Sequence, residues 1–241
     1  MNVFHLTSTK YALMALLNSR LKIARIHDLN DPFELYGAAL PENIHRKKFR
    51  AFKDWTAQQY GLLCFSRSWK NPVLWSHYAD RHRGIALEFR ILDEDISEIN
   101  YTPSRVLLDV EKALQRGTFT REEALSMATT KFKHWEYEDE VRVFCSLANC
   151  PVDGDLIFEP FSERMKLVGV IRGPACVLSN RELAASLPRG CDVPVTQARL
   201  AFNSFNVVRN KLHPVEVVRG AAPPAVQPDG PAAPSGCQGS A

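Results

Sequence analysis

Apolar positions along this chain switch repeatedly between a period of two and a period near 3.6, so strands and helices must be interleaved. Val3 to Leu6 reads as a short strand, and Ser8 or Thr9 caps a helix running through Leu17. Leu21 to Ile26 is expected to form a second strand, with Asn30-Asp31-Pro32 as a turn. Ile44, Phe49, Phe52 and Trp55 recur at helical spacing, which predicts a helix from about Glu42 to Gln59. Leu62 to Ser66 is a strand. Pro72 then opens a short helix through Ala79, since a first helical turn tolerates the missing N–H. After Gly84, the residues Ile85, Leu87 and Phe89 alternate as in a strand.

Thr120-Arg121-Glu122-Glu123 is a capping-box pattern, and the helix it begins is expected to run to about His134. Val141 to Leu147 reads as a strand, placed centrally by its apolar content. Leu167 to Ile171 is another strand, followed by a helix from Asn180 to Leu187 and closing strands at Val193 to Thr196 and Val215 to Val218. Strand-rich ends around helical inserts indicate an α/β (α+β) chain with a mixed sheet, not a repeating βαβ pattern. From Gly220 onward small residues and prolines dominate, and such a segment buries too little apolar area to offset its ordering entropy. The expectation is one globular domain over 1–219 and a disordered tail over 220–241.

Composition changes this picture little. Of 241 residues, 45% are hydrophobic and 24% charged, as in an ordinary globular chain, and the net charge of +3 is too mild to imply nucleic acid. The basic run His45-Arg46-Lys47-Lys48-Phe49-Arg50, with Lys53, reads first as a solvated helix face. No apolar run approaches the roughly 18 residues of a membrane span. Tyr11 to Leu17 follows Lys10 as in a signal peptide but lacks a small-residue cleavage pattern, so it reads as a buried helix. The six cysteines show no CxxC pair and no zinc spacing. Cys64 and Cys145 lie in strand-like runs as buried thiols, and the expected compartment is the cytoplasm, with no membrane partner.

Three clusters carry candidate chemistry, each with a bland counterpart. In Phe4-His5-Leu6-Thr7, a strand puts His5 and Thr7 on one face; they hold a ligand if Phe4 and Leu6 face the core, and otherwise form an exposed edge before a helix cap. In Trp75-Ser76-His77-Tyr78, preceded by Cys64-Phe65-Ser66, Trp75 and Tyr78 share a helix face and can stack on a planar ring, although such aromatics are more often core. His77 and His82 stand five apart, the wrong spacing for a helical metal pair, so no metal is expected. The third cluster is Trp135-Glu136-Tyr137-Glu138-Asp139-Glu140-Val141-Arg142. If its strand starts by Glu138, then Glu138, Glu140 and Arg142 line one face at steps of about 7 Å. That array suits orientation of hydroxyls and stabilisation of developing positive charge, or else a solvated face with a structural Glu140–Arg142 pair. Asn30 to Glu34 suffices as a turn, with a polar loop beside the site as the sharper reading.

Taken together these stretches resemble the bacterial family called domain of unknown function 2971. The resemblance rests on His5-Leu-Thr-Ser, Leu29-Asn-Asp-Pro-Phe-Glu34, Cys64-Phe-Ser66, Leu74-Trp-Ser-His-Tyr-Ala79, His82-Arg-Gly84 and Trp135-Glu-Tyr-Glu-Asp-Glu-Val-Arg142. The order His5-x-Thr7, Tyr78, Glu138-x-Glu140 is, more distantly, similar to that of the ADP-ribosyltransferases. That second likeness implies a mostly antiparallel sheet core of their type with helical inserts, and NAD as the substrate. It makes Glu140 the carboxylate that meets the ribose and the developing charge, and Glu138 the group that orients or deprotonates the acceptor. His5 and Thr7 would hold the ribose, Tyr78 would stack on nicotinamide with Trp75 and Ser66 nearby, and Arg25 or Arg142 would meet the pyrophosphate. A Ser-Thr-Ser motif on a middle strand is missing.

The function implied is transfer of ADP-ribose to a nucleic-acid or protein acceptor, or plain NAD hydrolysis, with a toxin or phage-defence role by analogy. A non-catalytic nucleotide- or partner-binding module is the alternative. A nuclease using His5, His77 or His82 with Glu138 and Glu140 ranks third.

Overall fold

The structure is a computed structural model that describes residues 1–34, 38–40, 42–105, 110–116 and 119–221. Strand β1 (Asn2–Thr7) leads into helix α1 (Thr9–Leu17), whose N-terminus is capped by the Ser8 hydroxyl accepting from the Tyr11 N–H. This helix buries Ala12 and Leu16 but leaves Tyr11, Met14 and Leu17 more than half exposed, so it is amphipathic and not buried all round. The single strand expected over Leu21 to Ile26 is instead two short strands, β2 (Arg20–Lys22) and β3 (Ala24–Arg25), which join different sheets. Between them the Ile23 N–H bonds to the Ile157 carbonyl while its side chain enters the core, and the chain changes sheets there.

Helix α2 (Asn43–Gln59) follows with Phe49 and Ala57 buried, then β4 (Tyr60–Ser66), α3 (Pro72–Tyr78) and β5 (Ile85–Ile91). Short strands β6 (Ser97–Glu98) and β7 (Asn100–Thr102) precede α4 (Val110–Arg116) and α5 (Arg121–Ala128). The capping box at Thr120 forms, but the helix ends at Ala128, six residues short of His134. Thr129 and Thr130 turn their hydroxyls back onto the Leu125 and Ser126 carbonyls, which ends the helix where two β-branched residues disfavour its continuation. The chain becomes β8 (Thr130–Phe132), then a 3-10 turn over Lys133–Glu138, then β9 (Glu140–Ser146). The remaining elements are β10 (Val152–Asp153), β11 (Leu156–Pro160), β12 (Met165–Arg172), α6 (Asn180–Ser186), β13 (Asp192–Leu200), β14 (Val207–Arg209) and β15 (Glu216–Arg219).

The principal sheet runs β14-β13-β12-β5-β1-β4-β9-β6, with β15 beside β13 and β3 beside β4. All its pairings are antiparallel except β12 with β13, which makes it a mixed, mostly antiparallel sheet with helices packed against it. The β9 strand is second from an edge, not central; its apolar content reflects cover on its faces, Val141 being fully buried.

Side-chain register decides where a site can lie. Phe4 pairs with Ser66, Ser66 with Glu140, and Cys64 with Arg142, so these five side chains share one sheet face. The opposite face, carrying Val3, Phe65, Leu87 and Val141, packs on Ala12, Leu16 and Leu183 from α1 and α6. On the site face Leu6, Ala86 and Ile171 pack on Leu74 and Trp75 of α3. Of the predicted tail, Gly220 and Ala221 are tied to Cys191 and Ala184 by backbone bonds of 2.8 and 2.9 Å, and residues 222–241 lie outside the described residues.

Candidate functional site

Four elements bring their polar residues to one end of the site face. Glu140 and Arg142 project from β9, and Lys131 from the middle of β8. Glu138 closes the 3-10 turn, and Tyr78 ends α3. Asp139, between the two glutamates, adopts a left-handed backbone with φ of 46°. The strand therefore starts at Glu140 and not at Glu138, and the expected three-residue ladder is not what gathers these groups. A cation missed by the sequence reading does so. Lys131 Nζ donates to Glu138 at 2.5 Å and to Glu140 at 2.7 Å, and lies 3.5 Å from Glu34. Its setting, Thr130-Lys131-Phe132-Lys133, did not distinguish this lysine from a solvated one, and placing it in a helix hid its strand position.

Arg142 is the second cation. Its Nε donates to Glu140 at 2.7 Å, its Nη2 to Glu34 at 2.7 Å, and its Nη1 to the Ala128 carbonyl at 2.7 Å. With 1% exposure it braces carboxylates and is not placed to meet a pyrophosphate in the cleft. The turn carrying Glu34 is anchored from α2, where buried Lys53 donates to the Glu34 carbonyl at 2.9 Å. So the basic helix is not wholly a solvated face. Among the described residues the ion pairs of the cluster join three carboxylates, Glu34, Glu138 and Glu140, to Lys131 and Arg142, with buried Lys53 a third cation close to Glu34, and one Glu34 oxygen is buried without a hydrogen-bond partner.

This charge balance sets the titration of each member. Burial alone would raise the Glu140 carboxyl, but Arg142 and then Lys131 outweigh it and hold the group down at about 2. Burial would lower the Lys131 ammonium, and Glu140, Glu138 and Glu34 together raise it above its ordinary range. The Tyr78 phenol is pushed well up, by burial first and then by Glu138, so it stays protonated and donates to that carboxylate. The Tyr78 oxygen in turn accepts from Asn30 Nδ2 at 2.7 Å. Behind the cluster, the Glu140 N–H donates to the Tyr101 hydroxyl at 2.8 Å.

A cleft of about 270 Å³ opens against this cluster, lined by Tyr78, Glu138, Glu140, Lys131, Asn30, Ser66 and His5 among others. His5 sits where the β1 and β3 ladders leave part of the β4 edge unpaired, and its Nδ1–H donates to the Cys64 carbonyl at 3.2 Å. Burial lowers its pKa, only partly offset by that carbonyl, so the imidazole is neutral. Its register partner is Leu87 and its ring meets Phe65 edge-on, so it points to the face away from Glu140, as Thr7 does. The Cys64 thiol, raised by burial and by Glu140, is no thiolate nucleophile. Ser66 lines the cleft but donates its hydroxyl to the Ser68 carbonyl at 2.7 Å.

Three expected ligand residues stand elsewhere. Trp75 is fully buried, with its indole N–H donated to the Trp69 carbonyl at 2.6 Å, so it is a core residue that supports α3 and offers no ring face. Thr7 pairs with Ile85, facing away from Glu140, and Arg25 is an exposed residue paired with Gly61; neither lines the cleft. A second hollow of about 300 Å³, lined by Phe33, Thr102, Arg105 and Phe132, shares Glu34 and Lys131 with the first. Among the described residues no group of His, Cys, Asp or Glu is arranged to hold a metal ion, and no helix is long and apolar enough to cross a membrane.

The model of the family described as protein of unknown function DUF2971 matches residues 74–143. The expected resemblance holds over that stretch, which carries Tyr78, Lys131, Glu138, Glu140 and Arg142. No curated protein and no solved structure matches this chain.

Proposed function

We propose that the cleft binds NAD and that the protein is an NAD-dependent ADP-ribosyl enzyme, passing ADP-ribose to a macromolecular acceptor or to water. The observation that carries this reading is a buried carboxylate, Glu138, held on its two oxygens by Tyr78 and Lys131 and lining the cleft. When the nicotinamide–ribose bond breaks, its electron pair leaves with nicotinamide and the anomeric carbon becomes cationic. A preorganised carboxylate in a water-poor site stabilises that carbon more than the ground state, which is what acceleration requires.

The roles differ from those the sequence implied. Glu140 has both oxygens taken by Arg142 and one also by Lys131, so it positions those cations. Glu138 is held by one donor on each oxygen, Tyr78 and Lys131, and keeps lone pairs for a ribose hydroxyl. After bond cleavage it accepts the proton of the attacking hydroxyl or water. Asn30, which lines the same cleft and is hydrogen-bonded to Tyr78, is the polar partner for a ribose hydroxyl or the amide. The cleft of about 270 Å³ lies near the lower limit of the roughly 300–1,000 Å³ usual for small-molecule sites, room for the nicotinamide ribose half against Glu138.

Nicotinamide release by the purified protein, with and without DNA, RNA or lysate protein, tests the proposal. Glu138→Gln is expected to lose at least about a hundredfold in rate while still binding NAD, in line with the loss of a general base. NAD binding without nicotinamide release in any condition supports a nucleotide-binding module instead, a reading that the complete engagement of Glu140 also suits. Neither binding nor release ends both.

A further inference from the structure

We propose that a second surface, built on the β13–β14 edge and sharing no lining residue with the cleft, binds single-stranded nucleic acid. Between Leu200 and Val207 the chain makes a tight connection, closed by the Ala201 N–H on the Asn206 carbonyl at 2.9 Å and tied down by the Val207 N–H on the Lys70 carbonyl at 2.8 Å. On this ordered loop Phe202 is 89% exposed and Phe205 98% exposed. Two phenylalanine rings on one short ordered loop are held in water and forfeit the burial each could have gained, which marks a contact surface.

Arg199, which meets the Phe202 ring, also lines a polar hollow of about 320 Å³ with Arg172, Gln197, Asn210 and His213. Arg199 places its guanidinium 4.5 Å from the Phe202 ring centre and spends one N–H on the Leu200 carbonyl. Arg172 donates to Asn180 and leaves its Nε buried without a partner. The nearest acid lining the hollow, Glu216, accepts from Asn180. Among the described residues no carboxylate pairs with Arg172, Arg199, Arg209 or Lys211.

Guanidinium groups without carboxylate partners in a polar hollow match a phosphate in charge and fork geometry. Exposed rings beside that hollow match unstacked bases, since every base presents a π-face. A single strand carries both groups along one flexible chain. A duplex keeps its bases stacked out of reach of the rings. A flat bilayer does not reach an N–H buried at the back of a hollow, whereas a flexible phosphodiester does. The proposal stands apart from the NAD reading: the edge binds a strand whether or not the cleft turns over NAD.

Fluorescence anisotropy of the full chain with short labelled oligonucleotides, without NAD, is the test. The single strand is expected to bind more tightly than the same sequence as duplex, with affinity falling steeply as salt rises. Changing Phe202 and Phe205 together to Ser, exposed positions that the fold does not need, is expected to weaken binding at least about tenfold. Arg199→Gln is expected to weaken it and to reduce the salt slope by about one. Absence of binding at low salt, equal binding of duplex, or full affinity in both variants overturns the proposal. Binding to phosphatidylserine vesicles but to no oligonucleotide overturns it in favour of a lipid surface.

Discussion

The Lys131 ammonium lies 2.5 Å from a Glu138 carboxylate oxygen, and both side chains are almost wholly removed from water. Each holds the other through a third party. Lys131 also bridges to Glu140, and Glu138 also accepts the Tyr78 phenol. Together with Glu34, Arg142 and the nearby Lys53 they form a buried network of interlocked charges. Buried pairs of this kind add little net stability over an apolar replacement, but breaking one strands a charge in the interior.

Lys131→Met follows that logic and leaves Glu138 and Glu140 with less compensation. It is expected to cost about 3–5 kcal/mol. Glu138→Gln keeps hydrogen-bonding groups toward Tyr78 and Lys131, and Lys131 keeps Glu140, so it is expected to cost less, within about 1–2 kcal/mol of the parent. Urea unfolding of both variants measures the difference. Equal losses would show that stranded charge does not govern this cluster.

Acid should unfold the protein in a definite window. The Glu140 carboxyl is depressed to about 2 in the fold from an ordinary 4.5. A depressed acid contributes stability that is fully present above its unfolded value and is lost as pH falls through the folded one. The contribution is roughly 3 kcal/mol and fades between those two values. Glu140→Gln should flatten the stability–pH curve below pH 4.5 and leave the neutral limb without slope from this group. An unchanged acid limb would place the linkage on other carboxyls.

Tyr78 should be silent where free tyrosines titrate, because burial and Glu138 keep its phenol protonated. Tyr78→Phe is therefore expected to leave the phenolate absorbance gained near pH 10 unchanged. It should cost about 1–2 kcal/mol through the lost hydrogen bonds to Glu138 and Asn30. On the proposed chemistry, nicotinamide release falls about ten- to a hundredfold as Glu138 loses its orientation. A drop in the phenolate signal would mean that Tyr78 is solvated.

Gly84 sits between the Thr7 carbonyl and the Ala79 backbone, just after the helix that carries Tyr78. A β-carbon there would lie 2.2 Å from the Thr7 carbonyl oxygen and 2.9 Å from the Ala79 backbone. The turn before it already holds Asp80, Arg81 and His82 at positive φ, so it has little freedom to give way. Gly84→Ala is expected to destabilise by about 1–3 kcal/mol, read as a lowered Tm. It should also weaken NAD binding, because that turn follows Tyr78. A silent substitution would show that β1 and β5 separate there without cost.

Local chemistry in the sequence determined most of the elements: the Ser8 and Thr120 caps, proline at the start of α3, the alternation in β5, and the mixed, mostly antiparallel sheet as a class. It also marked Glu138, Glu140, Tyr78 and His5, which do line one cleft. Those signals are legible because caps and periodicities act within a few residues. Only the tertiary structure decided what completes the site. Arg142 meets Glu34 across 108 residues, and Lys131 meets Glu140 only because α5 stops early and Asp139 turns left-handed. It also decided that Trp75 supports the core, that Thr7 faces away, and that Glu140 is braced on both oxygens. Neutralising a buried charge is a property of everything packed around it, and no window of sequence contains that surrounding.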